Sequence, residues 1–201
     1  AAGYRGWIDA ITAGLGDLPA AIILEPDALA MADCLSPDQR QERFDLISYA
    51  VDTLTRNPAA VLYVDGGHSR WVSAEVMAER LNAVGVDQAR GFSLNITNYY
   101  TTEEEIGYGE TISALTNGSH YVIDTSRNGA GPIPDAPLSW CNPEGRAMGV
   151  APTTATAGPH ADAYLWLKRV GESDGACERG DPPAGRFVNE LAIELVRNAG
   201  Q

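Results

Sequence analysis

Apolar residues follow two patterns along the chain, short unbroken runs and runs that repeat every three to four positions, and the two alternate. Tyr4, Trp7, Ile8, Ile11 and Leu15 recur at helical spacing before Gly16, which predicts an opening amphipathic helix. Residues 21–24 are apolar without interruption, a run of strand length that stops at Glu25, Pro26 and Asp27. Pro26 disfavours helical geometry at Glu25 and brings no ladder donor, so the chain turns here and holds Asp27 on a constrained backbone. The plainer reading is that Asp27 caps a short helical turn over 28–32. Ser36 and Pro37 then start a helix whose apolar face, Phe44, Ile47, Val51 and Leu54, runs up to Asn57 and Pro58. A strand over 59–64 ending at Asp65 follows, then a helix over 73–81, a strand over 92–96, a helix over 103–115 and a strand over 121–123 ending at Asp124. A strand over 164–167 and an amphipathic helix over 187–197 complete the series. Residues 128–159, rich in Gly, Pro, Thr and Ala without periodicity, read as a long loop system over the sheet.

Strand–helix alternation with continuously apolar strands predicts an α/β fold, a parallel sheet covered by helices. In such folds ligands sit at the carboxyl ends of the strands. The polar residues at those ends form one set: Asp27, Asp65, Asn95, Asp124, and Lys168 with Glu172 and Asp174. A shared site there is expected. At 201 residues the chain suits a single domain over residues 1–201.

A net charge of −13 argues against nucleic acid or an anionic membrane surface as partner, because both would repel the protein at long range. Cys34, Cys141 and Cys177 form no CxxC pair, and with only His68, His120 and His160 beside them the spacing of a zinc site is absent. No metal and no cofactor is expected. No apolar run reaches the length of a membrane span, and the first residues lack signal-peptide order, so a soluble chain is expected whose export signal, if any, lies outside it. In an exported protein, one disulfide would leave an odd cysteine over. That cysteine is either a free thiol or the partner of one outside this chain.

Trp71, Trp140 and Trp166 stand at turn positions among the carboxylates. An indole face stacks on the C–H face of a sugar while acids and amides bind hydroxyls, so the combination points to carbohydrate; for Trp166 core packing is an equal reading. Cleaving a glycosidic bond needs one carboxyl kept protonated and usually a second kept ionised. Asp27 is the candidate for the raised pKa, through a nearby like charge. Asp174 is the candidate base or electrostatic stabiliser, with Glu172 and Lys168 as neighbours that bind substrate or tune it.

Six segments carry a resemblance: IILEPDALA at 22–30, YVDGGHSRW at 63–71, GFSLNITNYY at 91–100, VIDTSRNGAGP at 122–132, WCNPEGRAMG at 140–149 and LWLKRVGESDGAC at 165–177. In this order the chain resembles the family 6 glycoside hydrolases, cellulases that cut β-1,4-glucan with inversion. The resemblance implies a distorted parallel β/α barrel, with Asp27 as catalytic acid and Asp174 as the proposed base, a role contested within the family. It implies Lys168 and Glu172 as sugar-binding residues, Trp140 and Trp71 as stacking platforms, and His68, Asn95 and Arg127 as site-lining groups, with Asp65 and Asp124 supporting. Cys141 and Cys177 match a pair that forms a disulfide in similar enzymes.

One departure stands out. Family members carry, upstream of the first helix, a strand and a motif resembling YDLPDRDC, whose aspartate helps keep the acid protonated and whose cysteine pairs with the one matching Cys34. This chain begins after that motif, which implies a barrel incomplete at the N-terminus and part of a longer catalytic domain. The short segments 174–187 and 128–140 favour an endoglucanase over a cellobiohydrolase with a roofed groove. The expected protein is a secreted monomer acting on β-1,4-glucan; a non-catalytic β-glucan-binding barrel is the alternative. A phosphate-handling barrel is disfavoured by the acidity and by the lack of a glycine-rich loop opening a helix.

Overall fold

The structure, a computed structural model, describes residues 1–200. Five strands form one parallel sheet in sequential order: β1 (Ala20–Leu24), β2 (Ala60–Asp65), β3 (Gly91–Leu94), β4 (His120–Asp124) and β5 (Ala161–Leu165). The sheet curls into a half-barrel. β1 and β2 pair in register from Ala20 with Ala60 to Leu24 with Val64. Four of the helices are α1 (Ala2–Leu15), α2 (Pro37–Leu54), α3 (Ala74–Ala83) and α4 (Thr102–Leu115); the last three cross over between successive strands. A helix α5 (Asn189–Ala199) follows β5 after a long loop.

The helix starts follow from their sequences. Ser36 and Thr101 each accept the backbone N–H three residues on, while Gln39 and Glu104 return the bond as capping boxes. Ser73 caps α3 by accepting the Val76 N–H, with no bond returned. Ile47, Val51 and Leu54 of α2, Met77 and Leu81 of α3 and Ile112 of α4 bury against Leu24, Val64, Phe92, Leu94 and Ile123 of the sheet.

Several boundaries differ from the sequence expectations. The strand expected over 92–96 ends at Leu94, because Asn95 turns into the left-handed region at φ 64°. The strand expected over 164–167 lies earlier, over Ala161–Leu165, where Asp162 interrupts the apolar pattern. The helix expected from 187 starts at Asn189, with Phe187 exposed and bridged to the backbone of Glu172. Asp27 does not cap a turn over 28–32: the short 3-10 helix is Ala30–Cys34, following Leu29.

Candidate active site

Because the strands run parallel, the residues that follow them emerge along one edge of the sheet, and hydrogen bonds tie them into a continuous rim. Asp27, held at φ 69° after Glu25 at φ 54° and Pro26, donates its backbone N–H to Asp65 Oδ2 at 2.9 Å. Asp65 Oδ2 also accepts from Gly67 N–H at 3.1 Å, and its Oδ1 from the Ser93 hydroxyl at 3.3 Å. The Gly67 carbonyl accepts from Asn95 N–H at 2.7 Å, and Asn95 Nδ2 donates to the Asp124 carbonyl at 3.1 Å. Asp124 Oδ2 accepts from Thr97 N–H at 3.2 Å and Lys168 N–H at 3.1 Å. Lys168 Nζ lies 3.3 Å from Asp174 Oδ1 and 3.6 Å from Glu172 Oε1. The rim therefore runs from Asp27 to Asp174.

The acids at its two ends live in opposite environments. Burial lifts the Asp27 carboxyl above its ordinary range. Asp65 is pushed up to about 7, by complete burial first and by the charge of Asp27 as well. The sequence expected a like charge to raise Asp27; burial raises it, and the repulsion weighs on its neighbour. Asp27 lines an open cavity of about 520 Å³ with Tyr4, Glu25, Met31 and Arg43.

Asp174 is clamped. Burial alone would raise its carboxyl, but Arg127 grips both oxygens at 2.8 Å, and the Asn142 N–H and Lys168 add to it, so the group sits below its ordinary range. Tyr99 OH donates to Oδ2 at 3.3 Å and Asn142 N–H to the same oxygen at 3.0 Å. A bidentate guanidinium with further donors keeps a carboxylate ionised.

Aromatic groups flank the rim. The His68 ring stacks on Tyr100 at 4.4 Å and lies 5.3 Å from Trp71. Burial, and then Arg70, lower His68 to about 4, so its imidazole is neutral at pH 7. Trp71 and Trp140 are 42 % and 52 % exposed, and Trp140 shares a small cavity with Tyr99 and Tyr100. Trp166 is 38 % exposed and donates its indole N–H to the Val150 carbonyl at 3.0 Å, which is neither core packing nor a free platform.

Two residues expected to line the site turn inward. Asn95 is fully buried, its amide spent on the Tyr100 and Asp124 backbone. Arg127 is buried too, with Asp174 in its grip, a bond to the Thr97 carbonyl, and Tyr99 beneath at 4.4 Å. Sequence reading missed Tyr99, Tyr100 and Asn142, although the pairs Tyr99–Tyr100 and Cys141–Asn142 lie in the segments that carry the resemblance. Asn142, at φ 43°, binds Asp174 in both directions, donating its N–H and accepting the Asp174 N–H at 2.8 Å on Oδ1.

Asn142 follows Cys141, which is bridged to Cys177 across 36 residues, while Cys34 is free and exposed. Thiol titration under denaturing, non-reducing conditions should therefore find one thiol. Reduction should destabilise the fold by about 3–4 kcal/mol in the loop-entropy account. Three titrating thiols would refute the bridge.

The glycosyl hydrolases family 6 profile matches residues 1–199. The chain belongs to this family. Endoglucanase A of Cellulomonas fimi is 45 % identical over 197 residues, covering 98 % of this chain and 42 % of that protein. Endoglucanase A of Thermobispora bispora is 42 % identical over 201 residues, covering 98 % and 42 %. The chain thus spans under half the length of both. Among family 6 structures, the endoglucanase Cel6 from Mycobacterium tuberculosis, in complex with methyl-cellobiosyl-4-deoxy-4-thio-β-D-cellobioside, superimposes with a TM-score of 0.97. It is 78 % identical, with 98 % of this chain and 68 % of that one covered. The half-barrel is the family 6 fold over the matched residues.

The buried acids of this family 6 chain predict how its stability varies with pH. Asp65 and Glu105 are each pushed up to about 7 by burial, so each binds a proton more tightly folded than unfolded. Their contribution is complete below the unfolded carboxylate value and is lost as pH rises through 7. His68, lowered to about 4, opposes this below its ordinary 6.5, as one group against two. The melting temperature should be lower at pH 8 than at pH 5.5. Equal values would contradict the assignment.

Proposed function

We propose that the chain carries the catalytic rim of an endo-β-1,4-glucanase that hydrolyses internal bonds of cellulose or soluble β-glucan with inversion. The observation that carries this reading is the contrast between Asp27, lifted by burial, and Asp174, held ionised by Arg127. Two carboxyls pushed apart in this way suit a general acid and an ionised partner. Asp27 gives its proton to the glycosidic oxygen as the bond breaks, and a water attacks the opposite face of the sugar. Asp174, held ionised by its donors, stabilises the developing positive charge, and the attacking water passes its proton through further water to solvent, from which Asp27 regains the proton it gave. Lys168 and Glu172 bind hydroxyls, Trp71 and Trp140 stack on sugar rings, and His68 stands beside Trp71 as a neutral hydrogen-bonding group. Arg127, Asn95, Asp65 and Asp124 hold the rim.

Endo action is supported by the endoglucanase names of the relatives above and by the short 174–187 segment. A disulfide suits an oxidising compartment, which supports secretion, and no helix is long and apolar enough to cross a membrane among the described residues. The protein acts as a monomer on β-1,4-glucan chains.

The test is reducing-end release from a soluble β-1,4-glucan, with viscosity followed in parallel and Asp27→Asn as control. Rapid viscosity loss with release well above the variant, and α-anomeric product seen first by NMR, is the expected result. Saturable binding with release no greater than the variant's would favour a non-catalytic glucan-binding barrel. Release with little viscosity loss would favour an exo-acting enzyme.

A further inference from the structure

Glu105, in the first turn of α4, is the most completely buried acid that the proposed chemistry leaves without a task. Its Oε1 accepts the Ser69 N–H at 3.0 Å, across 36 residues of chain. Its Oε2 and the Ser69 hydroxyl are both buried with no hydrogen-bond partner among the described residues. A buried carboxyl is expensive to keep, and an apolar side chain would serve the helix better, so the group's one good bond is the feature that explains its presence. That bond ends on the loop joining β2 to α3.

The same loop is gripped beside it. Arg70 pairs with Glu104, the preceding residue of α4, and its guanidinium lies 5.2 Å from the Tyr100 ring. Between Asp65 and Trp71 the backbone has little freedom. Gly67 adopts φ 68°, and a Cβ there would lie 3.3 Å from Ala30 Cβ and 3.7 Å from the Trp71 ring. Trp71 N–H donates to the His68 carbonyl at 3.1 Å. Ser69 is thus the point at which the helix can set the rotation of a short loop with an aromatic group on either side.

We infer that Glu105 is a positioning residue: through Ser69 it fixes the 66–71 loop so that His68 and Trp71 present one surface to a bound glucan, an inference that rests on the proposed glucanase reading. Its substitution should therefore weaken binding of substrates that reach Trp71 while leaving turnover at the rim nearly unchanged. A residue that merely stabilised α4 would not separate the two.

The experiment measures KM and kcat on soluble cellooligosaccharides for wild type, Glu105→Gln, Glu105→Met and Trp71→Ala. Methionine fills the same volume without the acceptor, whereas glutamine keeps an acceptor for the Ser69 N–H. KM should rise roughly five- to tenfold in Trp71→Ala and Glu105→Met, with kcat within about twofold of wild type, and Glu105→Gln should stay close to wild type. If the Met variant does not fold, Glu105→Asp, one methylene shorter, is read in its place. Wild-type KM in the Met or Asp variant alongside a raised KM in Trp71→Ala overturns the inference and leaves the glucanase reading standing. A loss of kcat at unchanged KM overturns it as well. An unchanged Trp71→Ala on an active enzyme removes the platform itself, and the inference with it.

Discussion

Asp27→Asn should cut hydrolysis of unactivated cellooligosaccharides by about 10²–10⁴, while aryl glycosides with good leaving groups lose far less. The substitution is nearly isosteric. It keeps the backbone N–H that Asp65 accepts at 2.9 Å, so the turn after β1 should survive. What disappears is the carboxyl whose affinity for a proton burial raises. A poor leaving group needs that proton as the bond breaks, and an activated one does not. Parallel initial rates on the two substrate types provide the check; equal losses on both would point to another donor.

Arg127→Met should be the most damaging single substitution for the fold. It strips a buried carboxylate of two 2.8 Å bonds and leaves Lys168, Tyr99 and Asn142 to hold it. Breaking one side of a buried pair typically costs about 3–5 kcal/mol; with Lys168 still present we expect about 3 kcal/mol. For a chain of this size that lowers the melting temperature by roughly 6–12 °C. The sign of the pH dependence follows. Asp174 is held below its ordinary 3.8, so its contribution is present above that value and lost as pH falls through the folded one. Without the guanidinium, burial pushes Asp174 upward instead, and the variant's deficit should shrink as pH falls. Denaturant unfolding at pH 7 and pH 5 measures this. Arg127→Lys keeps a charge but not the fork, and should fall between the two. A deficit below about 1 kcal/mol in the Met variant would mean that the clamp contributes little to the fold.

The alternating architecture was legible because parallel strands buried on both faces leave unbroken apolar runs, as at Leu62 to Val64, while the helices between carry spaced apolar faces and explicit caps such as Ser36 and Thr101. It was least legible where tertiary contacts replace local pattern. β5 contains Asp162, whose carboxylate binds Arg90 at 2.6 Å and Tyr63 OH at 2.7 Å, so its half-polar sequence conceals a strand. Asn95 ends β3 because its own amide bridges Tyr100 and, 29 residues on, Asp124, a partner that no local window contains. For the site, acids at successive strand ends were readable as a set. Their division of labour was not: Asp65 is buried completely and Asp27 only in part, and Arg127 turns inward to clamp Asp174 instead of facing a sugar. Those distinctions arise from depth and pairing across as many as 47 residues.

At the centre of the account stand two aspartates on one rim whose carboxyls are shifted in opposite directions. Carbon-13 NMR of labelled aspartate carboxyls, assigned with Asp27→Asn and Asp174→Asn and followed from pH 8 downward, reads those shifts directly. The account predicts that the Asp27 signal titrates above the ordinary aspartate range while the Asp174 signal stays that of a carboxylate below it. Both signals moving together near 4, or Asp174 taking its proton first, would contradict it.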